Sequence, residues 1–293
     1  MSHATTLRRM LNDPGMITAP GTFECITARA VARAGFKAAY MTGAGTAATL
    51  GFPDFGLVTM SEMAANAGRI AVASNLPVIA DADTGYGNEL NAFRTVQEYE
   101  RAGVAGLHME DQVMPKRCGH LDDKEVVPLE DFVAKIRAAC DARQNPDFVI
   151  IARTDARAAL GFEEALRRAE AALDAGADVA FVEAPQTMDE VREVPRRLNK
   201  PCLMNVVTGG KSPDLDLATT ADLGYKIAIV PGVLTSQIVA TCDTVLAGLM
   251  ADGQPPARPD AGSVADFFRL VGADDWAPLR TKYRDTDEPA AAE

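Results

Sequence analysis

The sequence predicts an α/β protein of the TIM type, a closed (β/α)8 barrel. A short apolar run, a polar or glycine-rich turn and a helical pattern recur with a period of roughly 25 to 30 residues, which is the rhythm of βα units. Each run is apolar on both faces, as expected of parallel strands covered by helices on one side and packed layers on the other. Eight such runs occur, at residues 16–20, 38–42, 77–81, 106–110, 148–152, 179–183, 202–206 and 226–230. A doubly wound open sheet is the alternative, but its dinucleotide-binding version is disfavoured because no GxGxxG motif follows the first run.

The stretches between these runs are predicted to be helices. Their apolar residues recur at spacings of three and four, and glycine often closes the pattern. The clearest examples are residues 25–35, 91–103, 129–142, 162–176 and 187–198.

The C-terminal part of the chain continues past the eighth run. The pattern predicts a helix over 235–253, a proline-rich breaker over 254–262, and a helix over 263–272 with Ser263 as its N-cap. This last helix is too apolar to stand free, so we expect it to dock on its own barrel or on a neighbouring subunit. We therefore predict one barrel domain over 1–293 that includes a C-terminal helical extension from about residue 255 to the end.

The composition is that of a globular protein in a reducing compartment. Hydrophobic residues make up 47% and charged residues 24% of the chain, and 29 basic residues face 41 acidic ones, a formal charge of −12. This excess of negative charge disfavours nucleic acid and anionic membranes as partners. The five cysteines form no CxxC pair, and neither a secretory leader nor a membrane span is indicated, so we expect a cytoplasmic protein.

Polar residues at predicted strand ends are the candidate site residues, because barrel active sites gather at the carboxyl ends of the strands. Asp81 and Asp83 are two apart and face the same way while the chain stays extended. Glu110 ends the next strand along the chain. Hard oxygen ligands favour Mg²⁺, or Mn²⁺, over zinc. The alternative is a capped turn with solvated aspartates.

Two further strand ends carry residues suited to carboxylates. Arg153 has a planar fork that matches a carboxylate, and its alternative role is a structural salt bridge with Glu183 or Glu110. Asn205 offers both a donor and an acceptor, and could hold a second carboxylate.

A glycine-rich segment, 40–56, follows the second strand. Bare backbone N–H groups there can approach an anion, although such glycines are also common in simple turns. Asp54 in this segment could reach the water shell of a metal.

The segment MPKRCGH, residues 114–120, sets a thiol between cations. Lys116 and Arg117 should lower the pKa of Cys118, as a proton donor or nucleophile near neutrality requires. A surface turn is the alternative, and a zinc site is disfavoured because the chain has only three histidines. The surrounding stretch, 111–127, is long enough for a mobile lid.

Taken together, these motifs resemble the isocitrate lyase / phosphoenolpyruvate mutase superfamily, and most closely its 2,3-dimethylmalate or 2-methylmalate lyase and 2-methylisocitrate lyase branches. The similarity runs over about residues 15 to 250, and the combination of motifs is specific although each one alone is weak. The matching stretches are YMTGAG, GFPD, DADTGYG, GLHMEDQ, PKRCGH, FVIIARTDA and the strand that carries Glu183.

The resemblance implies a magnesium-dependent lyase that breaks a C–C bond in a 2-hydroxy carboxylic acid, in a homotetramer built as a dimer of dimers with the last helix exchanged between subunits. It implies that Cys118 is the catalytic acid, and Tyr40 is our candidate for the base or its relay. Arg153 is expected to be catalytic as well, by stabilising the enediolate that forms when the C–C bond breaks. The matching positions are Asp81, Asp83, Glu110 and Asp54 for the metal; Thr42, Gly43 and Ala44 for the α-keto acid product; and Arg153, Glu183, Asn205, Gly119 and His120 for the other carboxylate product.

Two departures from the methylisocitrate pattern favour a substrate with two carboxylates. Asn205 is followed by VVTGGKSP, closer to the dimethylmalate branch, and the segment IVPGVLTSQI after the eighth strand has no arginine for a third carboxylate. A third departure is Ala44, which replaces a glycine of the family.

We predict cleavage of a substituted malate to pyruvate and a short carboxylate. The alternatives are 2-methylisocitrate cleavage, oxaloacetate decarboxylation or hydrolysis, phosphonate chemistry, and a carboxylate-binding barrel without catalysis.

Overall fold

Eight parallel strands close into a barrel in a computed structural model that describes residues 1–121, 123–256 and 262–284. Each strand pairs with its neighbours in sequence, and β1 pairs with β8 to complete the cylinder. The strands are β1 (Ile17–Thr22), β2 (Ala39–Met41), β3 (Val78–Asp81), β4 (Gly106–Glu110), β5 (Val149–Thr154), β6 (Val179–Val182), β7 (Cys202–Asn205) and β8 (Ile227–Val230). The predicted (β/α)8 barrel is confirmed, and each of the eight predicted runs overlaps one strand, with β1 and β5 extending two residues past their runs.

Helices occupy the intervals between the strands and both ends of the chain. They are α1 (His3–Asn12), α2 (Cys25–Arg33), α3 (Gly43–Thr49), α4 (Met60–Ser74), α5 (Glu89–Arg101), α6 (Leu129–Ala142), α7 (Ala156–Leu160), α8 (Phe162–Asp174), α9 (Met188–Arg197), α10 (Leu217–Asp222), α11 (Thr235–Asp252), α12 (Val264–Leu270) and α13 (Ala273–Lys282). The helices predicted between the strands are confirmed, with ends that differ by a few residues.

Two local differences from the sequence prediction concern the site. The glycine-rich segment after β2 contains the short helix α3, because the side chain of Thr42 accepts a hydrogen bond from the N–H of Gly45 and caps it. Strand β5 runs on to Thr154, so Arg153 lies inside the strand rather than after it.

The barrel interior is filled by apolar side chains from seven of the strands, from Ala105 just before β4 and from α1. Leu7 and Leu11 of α1 belong to the same buried cluster as Ile17, Ile151 and Ile227 of the strands. Two other buried clusters lie between the strands and the surrounding helices. Such two-sided burial explains why the strands are apolar throughout rather than alternating.

The register of the parallel strands sets the height of each polar residue at the carboxyl end. Asp81 of β3 is level with His108 of β4, and Glu110 of β4 is level with Arg153 of β5. Neighbouring residues at one level of a parallel pair face the same side. Acidic and basic groups are therefore neighbours around one rim of the barrel.

The chain divides by its contacts into two compact units, Met1–Ile238 and Val239–Glu293. In the second, α12 begins at the predicted N-cap Ser263, which forms a capping box with Asp266. The predicted breaker lies largely outside the described residues, over 257–261. No helix in the described part of the chain is long and apolar enough to cross a membrane. One domain over the whole chain and docking of the terminal helix stay predictions.

Candidate active site

A cavity of about 270 Å³ opens at the carboxyl end of the barrel. Ten of the fourteen predicted site residues line it, and the other four, Gly43, Asp83, Glu110 and Gly119, touch or directly neighbour lining residues. The lining residues are Tyr40, Thr42, Ala44, Gly45, Asp54, Asp81, Cys118, His120, Arg153, Glu183, Asn205, Val207, Pro231, Gly232 and Thr235. The structure thus brings the predicted residues together from all parts of the barrel sequence.

Asp81 is a buried carboxylate held by backbone and side-chain donors. Its Oδ2 accepts from the N–H of Gly43 at 3.2 Å, and its Oδ1 accepts from the N–H of Asp83 at 2.9 Å. Burial by itself raises the pKa of Asp81, but the neighbouring cations, Lys116 and Arg153 among them, outweigh it and lower the pKa to about 2. Asp81 is therefore an anion at neutral pH.

Asp83 and Glu110 are buried beside Asp81, and their backbones are joined because the N–H of Glu110 donates to the carbonyl of Asp83 at 2.8 Å. Burial raises the pKa of Asp83 to about 6, although the ammonium of Lys116 opposes the shift. Burial also holds the pKa of Glu110 well above its usual range, against the opposing charge of Arg153. Two buried carboxyls with raised pKa values are destabilised as anions and would gain from an added cation.

The ammonium of Lys116 lies at this cluster. Its Nζ contacts Asp54 Oδ1 and lies 2.8 Å from Asp83 Oδ1. Burial by itself lowers the pKa of Lys116, but these carboxylates outweigh it and hold the pKa well above the ordinary value. Lys116 therefore supplies positive charge between two of the predicted metal residues.

The residues fit a hard divalent cation in their chemistry. Glu110 has two buried carboxylate oxygens that accept no hydrogen bond from the described residues, although Arg153 Nε lies 3.1 Å from Oε2. All the candidate donors are oxygens, as Mg²⁺ prefers. Within the described part of the chain, however, no three histidine, cysteine or acidic side chains are spaced to hold a metal ion. The metal site stays a prediction that rests on the donor chemistry.

Arg153 is buried between several carboxylates. Its Nε lies 2.8 Å from Asp155 Oδ2, and its Nη2 donates to Asp155 Oδ1 at 3.2 Å. The guanidinium carbon also lies 5.2 Å from the centre of the Phe181 ring. The salt bridge with Glu110 that was the alternative interpretation is present, but Arg153 also lines the cavity.

Glu183, Asn205 and His120 form a second polar cluster in the cavity. The side-chain amide of Asn205 donates to Glu183 at 3.2 and 3.3 Å. His120 Nδ1 accepts from the N–H of Lys211 at 3.0 Å, which leaves its Nε2, 3.2 Å from Glu183 Oε1, as the donor. Burial raises the pKa of Glu183, but Arg153 and His120 outweigh it and the pKa is lowered.

Cys118 is half-buried at the mouth of the cavity, and its pKa is raised rather than lowered. Burial is the main cause, because a thiolate is poorly solvated there. The prediction of a lowered thiol pKa was therefore wrong. Lys116 points inward and pairs with Asp54 and Asp83. Arg117 is half-exposed, and its guanidinium lies 3.9 Å from the carboxylate of Asp123. Each cation is therefore paired with a carboxylate rather than with the thiol. A raised pKa keeps the thiol protonated at neutral pH.

Tyr40, which lines the cavity, forms a buried pair with His108. The Tyr40 hydroxyl lies 2.8 Å from His108 Nε2 and 3.3 Å from Asp81 Oδ2. Burial raises the pKa of Tyr40 well above its ordinary value, and the charge of Asp81 adds to the effect. Burial lowers the pKa of His108 to about 4. The ring of His108 is thus neutral, the phenol of Tyr40 stays protonated, and the two groups are within hydrogen-bond distance.

The two ends of the segment 111–127 lie side by side. The N–H of Val113 donates to the carbonyl of Glu125 at 2.9 Å, and the N–H of Val127 donates to Asp111 at 2.8 Å. These bonds fix the two ends of the segment. Its predicted mobility as a lid stays a prediction.

Sequence reasoning gave no role to three residues at the site: His108, Asp155 and Lys124. The first two stand at the ends of predicted strands, which is a signal that could have singled them out. Lys124 lies in the long segment after β4, and its partner Asp155 is 31 residues away in sequence. No pattern in the sequence indicates that pairing.

The comparisons with known proteins agree over almost the whole chain. The family model described as phosphoenolpyruvate phosphomutase matches residues 7–250. A 2,3-dimethylmalate lyase of Eubacterium barkeri is 50% identical over 232 residues, 79% of this chain and 80% of that protein. A 2-methylisocitrate lyase of Aeropyrum pernix is 41% identical, over 92% of this chain and 87% of that protein.

Solved structures give the same result. The crystal structure of 2,3-dimethylmalate lyase, a PEP mutase/isocitrate lyase superfamily member, matches with a TM-score of 0.93 and 40% identity, over 100% of this chain and 99% of that one. Oxaloacetate acetylhydrolase in complex with 3,3-difluorooxalacetate matches with a TM-score of 0.92 and 38% identity, over 96% and 97%. Phosphonopyruvate hydrolase in complex with oxalate and Mg²⁺ matches with a TM-score of 0.87 and 31% identity, over 97% and 99%.

The fold and site define a (β/α)8 barrel enzyme with a carboxylate-rich cavity. The chain belongs to the PEP mutase/isocitrate lyase superfamily. The predictions of this superfamily and of a carbon–carbon lyase are confirmed.

Proposed function

We propose that the protein is a Mg²⁺-dependent lyase that cleaves a substituted malate, such as 2,3-dimethylmalate or 2-methylmalate, to pyruvate and a short carboxylate. The observation that carries this proposal is the charge distribution in one cavity. The carboxyls of Asp54 and Asp81, the guanidinium of Arg153 and the thiol of Cys118 all line this cavity. This arrangement suits a substrate with a chelating hydroxy-carboxylate end and a second carboxylate end.

The number of cations favours a dicarboxylate over a tricarboxylate. Among the lining residues, Arg153 is the one with a permanent positive charge. The segment after β8 contributes Pro231, Gly232 and Thr235, none of which can pair with a third carboxylate. Val207 and Ala44 add apolar surface that suits a methyl substituent. The high identity to a 2,3-dimethylmalate lyase supports the same choice.

Asp81, Asp83 and Glu110 would hold the divalent cation, with Asp54 in its water shell and Mn²⁺ as a possible substitute for Mg²⁺. A divalent cation bound there supplies positive charge that lowers the pKa of the substrate hydroxyl. In support, the carboxyls of Asp81, Asp83 and Glu110 are buried, and the donor atoms are all oxygen. The Mg²⁺ complex of a structural relative supports the identity of the ion.

The two ends of the substrate have separate sets of residues. Thr42, Gly43 and Ala44 would hold the carboxylate of the α-keto acid product. The other carboxylate product would be held by Arg153, His120, Asn205, Glu183 and Gly119. Glu183 is an anion and would not pair with the substrate carboxylate directly. It accepts hydrogen bonds from the amide of Asn205 and the ring of His120 and so orients both groups.

The residues of the chain account for the proton transfers. When the C2 hydroxyl loses its proton, the C2–C3 bond breaks, C2 becomes a carbonyl, and the electron pair stays on the other fragment as an enediolate. Arg153 and His120 would stabilise that charge, and Cys118 would deliver a proton to the carbon. A protonated thiol with a raised pKa suits this role. The proton of the C2 hydroxyl would pass to Tyr40, our candidate for the base or its relay, whose hydroxyl lies 2.8 Å from His108 Nε2.

A panel of substrates tests the proposal. Purified protein with Mg²⁺ would be given 2,3-dimethylmalate, 2-methylmalate, 2-methylisocitrate and oxaloacetate, and pyruvate would be followed with lactate dehydrogenase while oxalate and acetate are measured directly. We expect the substituted malates to be cleaved fastest, and chelation with EDTA to stop the reaction. Faster cleavage of 2-methylisocitrate, or release of oxalate from oxaloacetate, would assign the enzyme to one of the other branches. Binding of these compounds without any turnover would favour the alternative of a carboxylate-binding barrel without catalysis.

We also propose that the protein is a cytoplasmic homotetramer in which α11 of one copy covers the barrel of another. An apolar groove of about 660 Å³ lies between α2 and α10, lined by Val31, Phe36, Leu217 and Val230 among others. No residue of α11 is buried, although the helix is largely apolar. Light scattering would give the mass, and replacing Leu246 on α11 with aspartate should reduce the tetramer to smaller species.

A further inference from the structure

Lys124 is a buried cation outside the residues discussed so far as catalytic or binding. Its side chain has no exposed surface, and neither has that of Asp155, to which its Nζ donates at 2.7 Å. The same Nζ donates to the backbone carbonyl of Gly119. One ammonium group thus joins the segment that carries Cys118 to the strand end that carries Arg153.

Both partners of Lys124 are in contact with the proposed carboxylate pocket. Asp155 pairs with Arg153 through two nitrogen atoms, at 2.8 and 3.2 Å. Gly119 lies so close to the pocket that a Cβ built on it would be 2.5 Å from Arg153 Nη2 and 2.3 Å from Glu183 Oε1. The backbone next to Cys118 therefore rests directly on the groups that would bind substrate.

We propose that Lys124 is a positioning residue that holds residues 118–120 against Arg153 and so fixes the thiol of Cys118 over the cavity. The buried ammonium makes charge-assisted hydrogen bonds to a carboxylate and to a carbonyl, which are stronger than neutral ones. Removing the ammonium removes the link between the carbonyl of Gly119 and the carboxylate of Asp155. Asp155 stays paired with Arg153. The pocket would persist while the segment above it loosens. This inference rests on the proposed role of Cys118 as the acid.

A purely structural role for Lys124 makes a different prediction. A buried ion pair that only contributes stability would change the unfolding midpoint and leave the accessibility of Cys118 in the folded protein unchanged. A positioning role changes the accessibility of Cys118 at temperatures far below unfolding. The reactivity of the thiol therefore separates the two.

The experiment measures alkylation of Cys118 by iodoacetamide, by mass spectrometry of its peptide, with a free cysteine peptide in the same tube as the internal standard. The variants are Lys124→Met, which removes charge and donors, and Lys124→Gln, which keeps a neutral donor. We expect alkylation about tenfold faster in the first and an intermediate rate in the second. The matched control is Lys200→Met, whose ammonium donates to the carbonyls of Leu173 and Ala177, and whose loss should leave the rate unchanged.

Steady-state kinetics add a second readout. Loosening the thiol should lower kcat by about tenfold or more in Lys124→Met and change KM less, because Arg153 remains paired with Asp155. An unchanged alkylation rate in folded Lys124→Met, or an equal rise in Lys200→Met, would overturn the proposal.

Two further outcomes are separable. If Lys124→Met does not fold, Lys124→Arg, which keeps the cation, takes its place: slow alkylation and near-normal kcat support the proposal, and fast alkylation in a folded Lys124→Arg opposes it. If Cys118→Ser proves fully active, the proposed acid is wrong. The alkylation rates still decide whether Lys124 fixes the segment.

Discussion

Gly119 packs so closely against Glu183 that a methyl group on its Cα would lie 2.3 Å from Glu183 Oε1. Real Cβ atoms do not approach an oxygen to that distance, so the segment or the carboxylate must shift. The fit between these two residues sets the height of the Cys118 segment above the cavity. A change at Gly119 therefore tests the geometry of the site with the smallest possible side chain.

Gly119→Ala should lower kcat/KM by at least about tenfold, while the unfolding midpoint changes little, because the clash lies within the cavity rather than in the core. Gly232→Ala is the matched control. Gly232 also lines the cavity, and a Cβ there would meet no atom within 4 Å. Equal losses in the two variants would contradict the steric explanation.

Cys118→Ser should lower kcat for pyruvate release by about 10²-fold or more, because a hydroxyl is a much weaker acid than the thiol it replaces. Binding of Mg²⁺, followed by calorimetry, should be unchanged. Cys25→Ser is the control, since Cys25 lies on α2 outside the barrel and donates to the carbonyl of Arg69. Full activity of Cys118→Ser would remove the residue from the mechanism.

The pH dependence of Cys118 follows from its raised pKa. The protonated thiol exists below its pKa, so a higher pKa extends the acid form to higher pH. We expect alkylation of Cys118 to reach half its maximal rate above the value of about 8.5 found for a free cysteine. If kcat depends on the protonated thiol, kcat should decrease as the pH rises through the pKa of Cys118. An inflection near pH 7 would mean that the cations of the segment do lower the pKa.

Metal removal should abolish turnover and also change stability. The proposed Mg²⁺ site exists in the folded state, so adding Mg²⁺ to the chelated protein should raise the unfolding midpoint. At a hundredfold excess over Kd, the free energy of unfolding should rise by about 2.7 kcal/mol. Asp83→Asn should lose this stabilisation. Asparagine tolerates the positive φ of 45° at this position, so the backbone is expected to be kept. Asp189→Asn, an exposed position, should respond to Mg²⁺ as the wild type does.

Asp155→Asn should destabilise the protein by about 3 to 5 kcal/mol, because it leaves the buried ammonium of Lys124 without its carboxylate and removes one of the carboxylates paired with Arg153. Urea unfolding followed by far-ultraviolet circular dichroism measures the change. Asp189→Asn, which removes an exposed ion pair with Arg192, should have little effect. Similar losses in both variants would argue against a special role for the buried network.

The barrel itself could be predicted because each strand is an uninterrupted apolar run and each helix has a 3.6-residue pattern. Those periodicities follow from local backbone geometry. The short helix α3 escaped prediction because its glycines and threonines are poor helix formers, and it forms where Thr42 caps it. The prediction also ended β5 too early, before Arg153, because the pairing between strands rather than the residue type decides where a strand ends.

By itself, the sequence determined which residues stand at the carboxyl ends of the strands, and therefore which groups meet in the cavity. The tertiary structure decided their electrostatic state. Lys116, adjacent to Cys118 in the motif, turns to Asp54 and Asp83, and the thiol is left with a raised pKa by burial. Charge is read from sequence, but its effect depends on distance and solvent exposure, and these are fixed only when distant segments pack together.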